Sequence, residues 1–111
     1  MSAVAHRIQI IRALFPETRE SDLVARLEKF NHIANKNKEV LMGKNKDYKQ
    51  GYTIGEYLSA EGEDLDFKDL DQIGNELFEE NPWGELPVND LGYFKDGLSN
   101  GYVYYGKPEK E

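Results

Sequence analysis

The chain has 111 residues, 21 Asp+Glu against 14 Lys+Arg, and a formal net charge of −7. Its length predicts a single domain over residues 1–111, large enough for one core without covalent staples. The lack of cysteine excludes disulfides, thiolate nucleophiles and thiolate zinc sites, and no apolar run reaches the ~18–20 residues that a membrane span requires.

Val4, Ile8, Ile11 and Phe15 recur at helical steps, with Ile10 and Leu14 widening the stripe, and predict a first helix. Ser2 is the candidate N-cap, and Pro16 disfavours helical geometry at Phe15. His6, Arg7, Gln9 and Arg12 interrupt any apolar stretch of a secretory leader, so the expected location is cytoplasmic.

A second helix follows the Pro16-Glu17-Thr18 turn. Thr18 or Ser21 is placed to cap it, and Leu23, Leu27, Phe30 and Ile33 or Ala34 mark its buried face. Asn35, Lys36 and Asn37 interrupt the pattern before Val40, Leu41 and Met42 resume it. A break near Asn35 is the favoured reading, with continuation to Gly43 the alternative.

Gly43 to Gly51 reads as a polar, lysine-rich loop. Tyr52 to Leu58 then reads as a strand, with Tyr52, Ile54 and Glu56 on one side and Gly55 as a bulge. After an acidic loop over Ser59–Asp64 comes a helix over about 67–80. Asp66 and Asp69 suit a capping box there, and Leu65 can staple against Leu70. Phe67, Leu70, Ile73 (or Gly74) and Leu77 make its apolar face, widened by Phe78, and Asn81-Pro82 ends it. Glu79 and Glu80 fall at its C-terminal end, where each negative charge costs about 0.3–1 kcal/mol against the macrodipole.

Trp83 to Pro87 reads as a loop with one large aromatic. Asp96-Gly97 and Asn100-Gly101 are hairpin-turn dipeptides, flanked by strand candidates Leu91–Phe94 and Tyr102–Tyr105. Residues 107–111 read as a frayed tail, and no internal repeat is apparent. Two N-terminal helices, one strand, an acidic helix and a C-terminal β-hairpin or small antiparallel sheet predict an α+β fold.

Charge is split along this order. The first fifty residues hold ten Lys/Arg against six Asp/Glu; from Glu56 to Asp90 there are twelve carboxylates and one cation, Lys68. Such asymmetry speaks to partners and solubility rather than to fold.

Several chemistries compete for the acidic segment. Asp69, Asp71, Gly74 and Glu80 fall at EF-hand positions, but Ile73 stands where an oxygen ligand belongs and the stretch is a better helix than a calcium loop. Asp66-Phe67-Lys68 and Asp47-Tyr48-Lys49 are Asp-x-Lys triplets, which on a strand could hold Mg²⁺ for a hydrolase or nuclease, with Glu56 or Glu61 as a second acid. A carboxylate array could also mimic the charge density of DNA. Lys29, Lys36, Lys38, Lys44, Lys46 and Lys49 do not outweigh the neighbouring acids, so direct nucleic-acid binding is not expected. His6 and His32 lack metal-ligand spacing, and no serine sits in a nucleophile elbow.

The resulting expectation is a non-enzymatic acidic protein of inhibitor, immunity or regulatory type, without metal or cofactor. It would dock a basic surface on a protein partner, possession of a DNA-like charge array being a special case. Its expected contacts are Glu61, Glu63, Asp64, Glu76, Glu79, Glu80, Trp83, Tyr102 and Tyr104, with charge steering association and aromatics anchoring it. The alternatives are the metal-dependent hydrolase and an assembly subunit pairing its basic half with its acidic half.

Overall fold

The computed structural model describes residues 3–82 and 88–105. They form five helices: α1 Ala3–Leu14, α2 Glu20–Val40, α3 Lys46–Ala60, α4 Phe67–Glu80 and α5 Leu91–Tyr104. Among the described residues there is no strand. The α+β expectation is therefore wrong. The proposed strand Tyr52–Leu58 is the middle of α3, and the C-terminal hairpin or sheet is one helix, α5, with Gly97 and Gly101 inside it.

The physical reason lies in the most extensive helix–helix contact of the molecule, between α3 and α5. A β-carbon added at Gly51 would overlap the Phe94 carbonyl oxygen and stand 2.9 Å from the Leu98 nitrogen. One added at Gly97 would overlap the Tyr48 carbonyl oxygen and stand 2.9 Å from the Tyr52 nitrogen. Gly55 meets the Leu98 carbonyl in the same way, and Gly101 that of Tyr52. These glycines are absent side chains that let two backbones touch, not turn formers. Such an approach sets glycine Cα–H groups against facing carbonyls, a weak attraction of about 0.5–1 kcal/mol each.

The pairings climb together, 48 with 97 and 52 with 101, so α3 and α5 run parallel. They are also reciprocal. Tyr48-Lys-Gln-Gly51 and Phe94-Lys-Asp-Gly97 stand 46 positions apart, each followed by a second glycine four residues on. The contact is thus approximately two-fold symmetric, and the chain carries a short repeat that its element order conceals.

Local signals explain the helix ends. Asn45 accepts from the Asp47 amide at 2.8 Å and caps α3, which turns the expected loop into a helix start. Asp90 caps α5 through the Tyr93 amide at 3.0 Å. Asp47 ties the two starts together: its Oδ2 accepts from the Asp90 amide at 2.9 Å. α1 ends before Pro16 as its sequence predicts; the Ser2 cap lies outside the described residues.

α2 runs unbroken through Asn35, and Arg19 rather than Thr18 or Ser21 occupies its N-cap position, without a side-chain cap bond. The apparent interruption is a buried polar contact. Asn37, 3% exposed, donates to Glu56 Oε1 at 2.7 Å and to Thr53 Oγ1 at 3.1 Å. Lys36 donates to Glu56 Oε2 at 2.9 Å. Elsewhere α2 presents Phe30 and Ile33 to a core shared with Ile10, Ile11, Ile54, Tyr57, Phe94 and Leu98.

Candidate functional site

Folding consumes much of the acidic segment. Glu56 is 2% exposed and held by Lys36 and Asn37. Asp66 accepts from the Asp69 amide at 2.8 Å while Asp69 accepts from the Asp66 amide at 3.2 Å, completing the expected capping box of α4. Asp71 pairs with Lys95 at 2.8 Å, and Asp90 caps α5. Glu85 lies outside the described residues.

Glu61 is also absorbed. It receives Arg26 and, at 2.5 Å, Lys29 from α2, and it accepts from the Tyr57 hydroxyl at 2.9 Å. Arg26 in turn stacks over the Phe15 ring, 4.2 Å from its centroid. Burial works to raise the Glu61 pKa, but the hydrogen bonds from Lys29 and Tyr57 and the charges of Lys29 and Arg26 outweigh it and hold the carboxyl below its usual range. Burial, reinforced by Glu61, pushes the Tyr57 phenol well above its ordinary value. Both groups thus stay in their ordinary neutral-pH forms, anion beside phenol, and neither is poised for proton transfer.

Five acids remain. Glu63, Asp64, Glu76, Glu79 and Glu80 are exposed and make no ion pair among the described residues. Glu76 accepts only from Gln72 within its own helix, at 3.1 Å. Glu79 and Glu80 occupy the last turn of α4, which contains no basic residue. All five were among the expected contacts.

Three of them surround a small cleft of about 80 Å³. Among the described residues its walls are Ala13 and Leu14 of α1, Leu58 of α3, Leu65 before α4, and Ile73 and Leu77 of α4, with Glu63, Glu76 and Glu80 as the polar ones. Helical spacing places Leu14, Ile73 and Leu77 toward the core; in the structure Leu58 and Leu77 are buried there, while Ala13, Leu14, Leu65 and Ile73 pack against them only partly buried. Leu65 and Leu70 do both pack in the core, as a staple requires.

The expected aromatics are distributed differently. The Tyr102 hydroxyl accepts from the Leu65 amide at 2.8 Å and donates to the Glu63 carbonyl, so it clasps the α3–α4 loop from α5. Tyr104 is half-buried near the end of α5. Tyr102 and Tyr104, paired on one face of a strand, are turned apart by the helix. Trp83 lies outside the described residues.

The Asp-x-Lys triplets acquire no strand. Asp66 is a helix cap and Asp47 is buried between two helix starts. Among the described residues no three His, Cys, Asp or Glu side chains gather as a metal site, and no helix is long and apolar enough to cross a membrane. No protein-family model, curated protein or solved structure matches the chain.

Proposed function

We propose that the chain is a non-enzymatic docking protein whose acidic face engages a basic surface on a protein partner. One observation carries this reading: after Glu56, Glu61, Asp66, Asp69, Asp71 and Asp90 have taken structural partners, five exposed carboxylates are left over, and they gather on α4 and the loop before it. Two of the five stand against the α4 macrodipole, so helix stability does not account for them. An uncompensated single-sign face steers an oppositely charged partner and fixes its orientation. Small inhibitors and regulators of basic proteins work by this means.

The test uses a defined polycation, a nona-lysine peptide, and the wild-type chain beside a variant carrying E63Q, D64N, E76Q, E79Q and E80Q. Wild type is expected to bind with an affinity that falls steeply from low to high salt, and the variant to lose at least ten-fold in affinity at low salt. Salt-independent binding, or equal binding by the variant, overturns the proposal.

A further inference from the structure

We infer that the cleft between α1 and α4 is a receptor for one arginine side chain presented by the protein partner. The inference rests on the docking reading above and names what that surface takes in. Size comes first. At about 80 Å³ the cleft is far below the roughly 300–1,000 Å³ of small-molecule and cofactor sites. It accommodates a side chain, not a metabolite.

The lining then selects the side chain. The partly buried Leu14, Leu65 and Ile73 offer an apolar wall for an aliphatic stem, and Glu63, Glu76 and Glu80 ring it with negative charge. A leucine would cover that wall but strip water from carboxylates it cannot pair. An acidic guest would be repelled. Lysine and arginine alone combine a stem that lies along apolar surface with a head that remains among polar groups. Of the two, arginine carries a planar fork that reaches two carboxylates at once, where an ammonium acts as a point charge.

The position of the rim supports the same assignment. Glu76 and Glu80 stand one helical turn apart on α4, where like charges repel. Glu63 adds a third negative charge from the loop that Tyr102 clasps. A guanidinium between them would relieve that repulsion as it binds. The five ion pairs among the described residues all lie elsewhere, so binding breaks no ion pair; Glu76 shares only the exposed amide of Gln72.

The experiment is a titration of the uniformly ¹⁵N-labelled full chain, followed by amide chemical shifts. The probes are N-acetyl-arginine N-methylamide and its uncharged counterpart N-acetyl-citrulline N-methylamide. The expected result is saturable shifts at Leu14, Leu65, Ile73 and Leu77 with the arginine probe, none with citrulline, and at least ten-fold weaker binding in E76Q/E80Q. Both glutamates are exposed, and an unchanged spectrum away from the cleft establishes that this variant is folded. Shifts that do not saturate, equal response to citrulline, or shifts confined to Asp64 and Glu79 overturn the inference. If the nona-lysine peptide still binds in a salt-dependent manner, the arginine receptor fails alone. If neither probe nor peptide binds, the docking reading falls with it.

Discussion

Gly97 of α5 rests against the carbonyl of Tyr48 in α3, with no space between them for a β-carbon. The atom in the way belongs to backbone, so no rotamer change can make room. Alanine at 97, or at the reciprocal Gly51, must push the helices apart. Overpacking of this kind costs about 1–3 kcal/mol, and occasionally more, against a helix-propensity gain of about 1 kcal/mol. Gly74 in α4 provides the contrast, because its added β-carbon would meet side-chain atoms and not backbone, Lys95 Cγ at 3.0 Å and Leu98 Cδ2 at 3.6 Å. Urea unfolding should find G51A and G97A destabilised, and both more so than G74A.

The Asn37–Glu56 contact should matter more than its neighbour Lys36. Removing the Asn37 amide leaves a fully buried carboxylate oxygen without its donor. Such a loss costs about 1–3 kcal/mol. The Lys36 side chain is 41% exposed, and water can replace it more readily. N37A is therefore expected to lower the denaturation midpoint well below that of K36A. Equal effects would remove the case that this contact holds α2 together past Asn35.

Glu61 predicts a pH signature. Its folded pKa lies below the usual value, so its contribution to stability is fully present above the unfolded pKa of about 4.3. That contribution is lost as pH falls through the depressed folded pKa. Wild type should thus exceed E61Q in stability at neutral pH, and the difference should shrink only below the usual carboxylate range. A difference that stayed constant down to acid denaturation would argue against the Arg26–Lys29–Tyr57 cluster.

Glu79 and Glu80 set folding against docking. Replacing either with lysine places a cation in the last turn of α4 and should raise stability by about 0.3–1 kcal/mol. The same E79K and E80K changes should weaken binding to the nona-lysine peptide. Thermal melts and binding isotherms on the same samples check both halves; a variant that gained nothing in stability would contradict the dipole argument.

Asp66 is expected to behave as a cap and not as a metal ligand. D66A should lose about 0.5–2 kcal/mol and D66S should recover most of it. Addition of millimolar Mg²⁺ should leave both melting curves unmoved.

The sequence made α4 legible because its signals are local. The cap, the capping box and the proline after its end all lie within a few residues of one another; of the expected apolar face Leu70 and Leu77 are buried, but Phe67, in the first turn, is 75% exposed. α3 and α5 were misread because their logic is tertiary. Residues 51 to 58 are buried without interruption, so α3 has no polar face to reveal a helical period. Glycine weakens a helix in isolation, and Asp96-Gly97 and Asn100-Gly101 carry the chemistry of hairpin turns. The overlooked signal was the matched spacing, Gly51 with Gly55 and Gly97 with Gly101, each preceded by an aromatic and a lysine. Asn37 was discounted for the same reason: a polar residue in a helix face signals a break unless its partner, here Glu56, is known. Of the expected docking residues, Glu63, Asp64, Glu76, Glu79 and Glu80 are exposed without an ion pair among the described residues, whereas Glu61 and Tyr102 have structural roles that no single-element pattern could disclose.

Parallel helices in direct contact impose a demand that antiparallel ones do not. A chain leaving the end of α3 must travel back the full length of α5 before it can begin the second helix. α4, 14 residues long and so about 21 Å, makes that return journey. It runs opposite to α5, moored near its start where Tyr102 holds Leu65 and farther along where Lys95 meets Asp71. The acid-bearing helix is therefore the chain's own bridge. Its inner side is obliged by the journey, while its outer side is left open to change without disturbing the glycine seam it serves.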